Sequence, residues 1–257
     1  MPETIKFELS SRTAIIKKPD SNETYYTYNF PHKIMLLGIL GAIIGLNGYN
    51  YYALKKNLGK DVEKLPEFYS KLENLKIAIV PKINHNNIKR KIQTFNNSVG
   101  YASKEEGNNL IVQEQWLENP SWDIYILKDD SKEYNLLKDY LLNKKCVFIP
   151  YIGKNDHFAN IRNVEILEIS TIEENVDVIN SLFAENIIKE INDESEDFDI
   201  WSAIEEKEFY YKEIMPVKLS DKIGYYDFKP FIFTNKKIIV KEEIQMHYAD
   251  NKVLYYF

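Results

Sequence analysis

Residues 34–46 read IMLLGILGAIIGL, thirteen uncharged positions interrupted only by glycines at 38, 41 and 45. As a helix this run would be about 20 Å long, against roughly 30 Å of hydrocarbon core, so it is too short to span a bilayer. A phosphate-cradling dinucleotide loop needs GxGxxG between a strand and a helix; here the glycine spacing is three and then four, inside the apolar run itself. On a helix the three glycines fall on one face. The expectation is a buried helix whose backbone lies close against a sheet, at about 1 kcal/mol of helix propensity per glycine.

Around this helix the hydropathy period drops to two. In TIKFELS, Ile5, Phe7 and Leu9 alternate with Lys6, Glu8 and Ser10, which predicts a half-buried strand. The turn-rich PDSNETYYTYNFP leads into the helix, and YYTYNF is read as a core edge with one exposed ring. A second helical piece is expected near DVEKLPEFYSKLENL, then a short β-branched strand, KIAIV, closed by Pro81. LIVQEQWL and WDIYIL predict a third strand in one or two pieces. DDSKEYNLLKDYLLNKK is a helix, with Asp130 as its cap, Glu133 at the capping-box position and Tyr134, Leu137 and Leu141 as its apolar stripe. CVFIPYIG is expected to be the fourth strand.

The order β, α, β, β, α, β is that of the ferredoxin-like fold, which RNA-recognition modules use to stack bases on an open sheet face. Beyond about residue 160, NVEILEIS, FYYKEIMPVKL, YYDFKPFIF, KIIVKEEIQMHY and VLYYF read as strands. The expected class is therefore α+β, with a ferredoxin-like (RRM-like) domain over 1–160. A smaller β-rich C-terminal domain follows over 161–257, with the acidic 190–208 segment on its surface.

Charge is unevenly spread. The chain carries −6 overall, but residues 165–213 hold sixteen acids and three bases, or −13, which leaves +7 on the remainder. From Asn74 to Lys104 there is no acid, while Lys76, Lys82, Lys89, Arg90, Lys91 and Lys104 are basic. Because screening limits distant charge to roughly 8 Å at physiological salt, such a segment can bind phosphate locally in an acidic protein; a solvated loop is the bland alternative. Cys146 is the only cysteine, so no internal disulfide, zinc finger or redox pair can be built, and a reducing cytoplasm is the expected compartment. HNNIKRK and KNDHF lack metal-ligand spacing with a partner cysteine or carboxylate, and there is no Walker loop or GxSxG elbow, so neither metal nor cofactor is expected. The N-terminus has no signal-peptide pattern, and no membrane association is expected.

The N-terminal strand, the loop ending in FPHK, the glycine-rich LLGILGAIIGL and, about 105 residues after it, PYIGKNDHFANI together resemble the fifth family of CRISPR-associated proteins. That family belongs to the RAMP superfamily, and the likeness is to members from type I-B effector complexes. The resemblance covers most of the first domain and thins after residue 170. It implies a non-catalytic subunit of the Cascade complex that grips the 5′ handle of crRNA at one end of the assembly, beside the backbone and large subunits, with target DNA met only indirectly. It also implies a ferredoxin-like palm with an inserted hairpin thumb, which maps onto residues 82–109. Two departures are the acidic overall charge and the lack of a glycine-rich loop late in the palm, where only Gly153 stands.

For RNA contact, Lys89, Arg90 and Lys91 on the thumb are candidates to neutralise phosphate, with Phe95 or Tyr101 as a wedge between bases; Phe95 packing the hairpin onto the palm is the alternative. Arg12, Lys17 and Lys18 flank the first strand, as handle contacts or as solvated charge. Tyr151, Gly153 and Lys154 form a tight turn suited to a phosphate. Tyr28, His32 and Lys33 sit at the start of the apolar helix, where an N-terminus favours an anion. The same trio is the one candidate for general acid–base cleavage of precursor RNA, because His85, His157 and His247 are scattered. Three functions follow in order: an RNA-holding subunit, a crRNA-maturing endoribonuclease, and a protein-interaction module without RNA.

Overall fold

The computed structural model describes residues 2–19, 24–60, 65–83, 87–96, 111–172, 176–191, 208–220 and 225–257. In chain order these form β1 (Glu3–Ser10), β2 (Thr13–Ala14), β3 (Thr24–Tyr25), α1 (Lys33–Ile44), α2 (Tyr49–Asn57), α3 (Glu67–Leu72), β4 (Ile77–Pro81), β5 (Arg90–Asn96), β6 (Ile111–Glu118), β7 (Ser121–Leu127), α4 (Lys132–Leu142) and β8 (Asn160–Glu168). Then follow β9 (Ser170–Ile172), β10 (Phe183–Ala184), β11 (Ile188–Ile191), β12 (Tyr210–Leu219), β13 (Tyr226–Thr234), β14 (Ile238–Val240), β15 (Met246–Ala249) and β16 (Lys252–Leu254).

The palm is an antiparallel sheet in the order β4-β7-β1-β8. With α1 after β1 and α4 after β7, this is the ferredoxin-like topology, and the chain is α+β as expected. The period-two pattern of β1 works as read. Ile5, Phe7 and Leu9 are fully buried in one cluster with Leu36, Leu37 and Leu40 of α1 and Leu137 and Leu141 of α4.

The helix α1 is a core helix: eight of its twelve residues are buried, and the helix is apolar on every side because it is covered on every side. Gly38 and Gly41 face α3 and not the sheet, while Gly45 faces Val147. A Cβ on Gly41 would lie 2.7 Å from Phe68 Cβ, and one on Gly38 would reach the same ring at 4.0 Å. Gly45 ends the helix at φ +84, the left-handed conformation of a C-terminal cap, and Leu46 N–H donates to Gly41 O at 2.8 Å. At the other helix, Ser131 rather than Asp130 is the cap: its hydroxyl accepts from Tyr134 N–H at 3.0 Å. Glu133 then falls one position early for a capping box.

CVFIPYIG is not a strand. Val147 and Phe148 donate their N–H groups to Ile43 O and Ala42 O, at 2.9 and 3.1 Å, so this segment closes the C-terminus of α1 instead of joining a ladder. The fourth palm strand is β8, which the sequence reading had assigned to the C-terminal domain. LIVQEQWL likewise belongs to the inserted hairpin, as β6, and leaves β7 alone as the third strand.

The C-terminal part is β-rich. β12 and β13 form a long hairpin, with β10 beside β13, and β12 lies against α1. Phe30 meets Tyr211 and Phe233 edge-on at 6.0 and 5.8 Å. The hairpin of β15 and β16, extended by β9, covers the other palm face, where Leu254, Ala249 and Tyr256 pack on Ala78, Val80 and Tyr125. Tyr256 OH donates to Thr4 Oγ1 at 3.0 Å, and its own pKa is pushed up to about 12 by burial. Phe257 and Ile77 exchange both backbone hydrogen bonds at 3.1 Å, so Phe257 pairs with the β4 edge. The sheet face on which RNA-recognition modules stack bases is thus occupied by this protein's own C-terminal strands.

Candidate nucleic-acid interface

The thumb hairpin is real, but its arms are β5 and β6, so it runs past the expected boundary to Glu118. Its tip, with Tyr101, lies outside the described residues, as does His85. Seven residue pairs run from Arg90↔Leu117 to Asn96↔Ile111. On its other edge β6 carries β2, antiparallel, and β3, parallel, which docks the hairpin onto the chain leading into α1.

Strand alternation decides which thumb side chains act together. Lys91, Gln93 and Phe95 share a face with Trp116, Glu114 and Val112, while Arg90, Ile92 and Thr94 point to the opposite face. The expected Lys89-Arg90-Lys91 cluster is therefore split. Lys89 and Arg90 are exposed. Lys91 pairs with Glu118 at 3.5 Å and lies 5.6 Å from the Trp116 ring centre.

The Phe95 face meets the turn at residues 151–158. Gly153 has φ +86, and a Cβ there would come within 1.6 Å of Ile15 O, so only glycine lets the turn touch the segment after β2. Lys154 then projects onto the hairpin. Its ammonium contacts both oxygens of Glu114, at 2.9 and 3.2 Å, and sits 5.2 Å from the Phe95 ring centre. Glu114 is 3% exposed and also accepts from Trp116 Nε1 at 2.8 Å. Trp116 meets His157 edge-on at 4.7 Å, and His157 Nδ1 bonds Thr13 Oγ1 at 2.8 Å. Burial lowers the His157 pKa, so this imidazole is a neutral structural group with Nε2 unpartnered.

Lys17, Tyr25, Phe95, Glu114, Gly153 and Lys154 line an open pocket of about 400 Å³. Lys17 stands 3.7 Å from the centre of the Tyr25 ring, so the pocket has two lysine–aromatic pairs on its walls. Of the residues singled out from the sequence, the fold brings together Lys17, Phe95, Gly153 and Lys154. A second pocket, of about 340 Å³, brings together Lys18 and Arg90. Lys18 is held by Glu213 at 2.9 Å, and Glu213 also accepts from Asn29 N–H at 2.9 Å. Arg12 and Tyr151 are exposed.

The trio at the start of α1 is divided between core and helix cap, with the Tyr28 and His32 rings edge-on at 5.7 Å. Tyr28 is 3% exposed within the core. His32 caps the helix: its Nδ1 accepts from Met35 N–H at 3.2 Å, and burial lowers its pKa to about 4, so it is neutral. Burial also lowers Lys33, to about 8. The exposed ring of YYTYNF is Tyr26, at 46%.

Tyr25, Glu114 and Trp116 were missed in the sequence. A glutamate inside QEQW looks like one more solvent-facing residue of an alternating strand, and its burial depends on a turn forty residues later. Among the described residues no group of three His, Cys, Asp or Glu is placed to hold a metal ion. Among the same residues, no single helix is long and apolar enough to cross a membrane.

No protein-family model and no curated protein matches the chain. Similar solved structures include a chain of a "CRISPR RNA-guided surveillance complex", 10% identical with a TM-score of 0.48, over 91% of this chain and 91% of that one. A "CRISPR protein from Archaeoglobus fulgidus" is 10% identical with a TM-score of 0.49, over 98% and 97%. A "Cas protein" is 12% identical with a TM-score of 0.41, over 93% and 96%.

Proposed function

We propose that this protein is a non-catalytic, RNA-binding subunit of a type I-B-like CRISPR surveillance complex. It grips the 5′ handle of crRNA along the thumb and caps one end of the assembly, beside the backbone and large subunits, in a cytoplasmic antiviral role. The observation that carries the reading is the thumb-side surface. There the lysine–aromatic pairs of Lys17 with Tyr25 and Lys154 with Phe95 border an open pocket, while Lys89 and Arg90 are exposed at the start of β5, with Arg90 on the opposite face of the hairpin beside the Lys18 pocket. Aromatic rings beside mobile or anchored cations are what single-stranded RNA uses for stacking and phosphate neutralisation. The sequence resemblance points separately to the thumb over residues 82–109 and to the Tyr-Ile-Gly-Lys step at 151–154. The subunit holds RNA rather than cutting it, since His32 is spent on a helix cap and His157 is buried.

The test is fluorescence anisotropy of the purified full chain with a single-stranded repeat RNA over a range of salt. Changing Lys89, Arg90 and Lys91 together to alanine should weaken binding and lower the slope of log K against log salt by roughly 1 to 2. An unchanged slope removes the thumb from the RNA interface. Cleavage of the same RNA, abolished by His32→Ala, would replace the holding role with that of an endoribonuclease.

A further inference from the structure

We infer that the pocket between the Lys17–Tyr25 pair and the Lys154–Phe95 pair receives one unpaired nucleotide, base against the rings and phosphate on the ammoniums, with Glu114 as the positioning residue for Lys154. This rests on the RNA-binding reading above and narrows it to a single subsite and a single-stranded ligand.

Size is the first argument. A pocket of about 400 Å³ is of the scale of a small-molecule site, which suits a single nucleotide. Wall chemistry is the second. Tyr25 and Phe95 are half-exposed aromatic faces on two different elements, β3 and β5, both joined to β6, and each already has an ammonium on its ring. An ammonium over a ring competes with a base for that face, so a base stacks on Tyr25 as Lys17, now 3.7 Å from the ring centre, turns from the ring to the phosphate.

The carboxylate is the third argument. Buried Glu114 would ordinarily repel an anion, but both its oxygens bond Lys154 and one of them also takes the Trp116 N–H. The ion pair cancels both charges and fixes Lys154, whose long side chain would otherwise sample many rotamers, so at this wall the phosphate meets an oriented N–H donor and the positive charge comes from Lys17. With its oxygens so engaged, Glu114 does not read the base edge. Recognition is therefore by stacking and charge, and all four bases should be accepted within a few-fold.

The experiment uses the full chain and a twelve-nucleotide RNA carrying 2-aminopurine at each position in turn, single-stranded or annealed to its complement. The expected result is binding of the single strand at least about tenfold tighter than of the duplex, with one position whose 2-aminopurine emission changes on binding. Phe95→Leu and Tyr25→Leu should each abolish that change and weaken binding by about tenfold, the scale of one lost base–aromatic stack. Glu114→Gln should broaden or shift the emission at that one position while the other positions are unmoved, which loss of overall folding would not do. Lys17→Ala, on an exposed side chain, serves if a ring variant melts early. RNA binding with no position that depends on Phe95 or Tyr25 overturns the pocket alone. Absence of any RNA binding overturns the function proposed above and the pocket with it.

Discussion

The two faces of β-structure that a ferredoxin-like RNA binder could offer are treated in opposite ways here. The palm sheet's second face carries Tyr125, Ala78 and Val80, and it is sealed by Tyr256, Leu254 and Ala249. Charge on this side is cancelled locally: Asp250 gathers Lys6 and Lys252 at 2.8 Å each and Tyr125 OH at 3.0 Å, which holds its carboxyl far below the usual range. The thumb-side sheet, by contrast, ends in half-exposed rings, split lysines and open pockets. The difference teaches that topology does not locate the site. A shared strand order says which faces exist, and the residues that cover each face say which is available.

The largest expected effect is on the sealed face. Tyr256→Ala should cost about 3 to 5 kcal/mol in urea denaturation, from an aromatic deleted beside the sheet. The fraction that remains folded should bind RNA as the wild type does; lost affinity per folded molecule would break the comparison. Gly153→Ala should cost about 3 kcal/mol, since its Cβ has no room against Ile15 O and its φ of +86 disfavours a side chain. This variant should lose RNA affinity as well, because the turn carries Lys154. Gly41→Ala should cost about 1 to 2 kcal/mol, as crowding against Phe68 outweighs the gain in helix propensity, and should leave RNA affinity unchanged.

The smallest effect is a pH dependence. The folded-state pKa of His32, about 4, lies below its ordinary value near 6.5, so the unfolded chain binds more protons between those pH values and stability falls as pH drops through that window. His157 and His247 are lowered too and add to the same trend. His32→Asn keeps a cap acceptor without a titrating ring, so the stability slope from pH 6.5 to 4 should become shallower by up to one proton. An unchanged slope would mean that His32 is not a neutral cap.

Much of the palm was legible because its signals are local. Alternation in β1 and β7, and an apolar run too short for a membrane, are properties of neighbouring residues. The fourth strand was misplaced because CVFIPYIG is apolar enough to resemble a buried strand, yet Phe148 and Ile149 are 53% and 69% exposed and the backbone serves α1. Only the tertiary position of the helix end distinguishes the two. At the site, Gly153 and Lys154 were readable as a turn beside a cation. Glu114 was not, since nothing in QEQW marks one glutamate as the anchor of a lysine forty positions on. The separation of Arg90 from Lys91 was available from strand periodicity, once the hairpin arms were known to start at Arg90.

The central claim is that RNA lies on the thumb side and not on the palm sheet. Photocrosslinking of the full chain to 4-thiouridine RNA, read by peptide mass spectrometry, tests it most directly. Crosslinks should fall on residues 90–96, 111–118 and 151–158, with Phe95 and the Tyr151–Lys154 turn foremost. Crosslinks concentrated on β15 and β16, at His247 and Tyr248, would contradict the account.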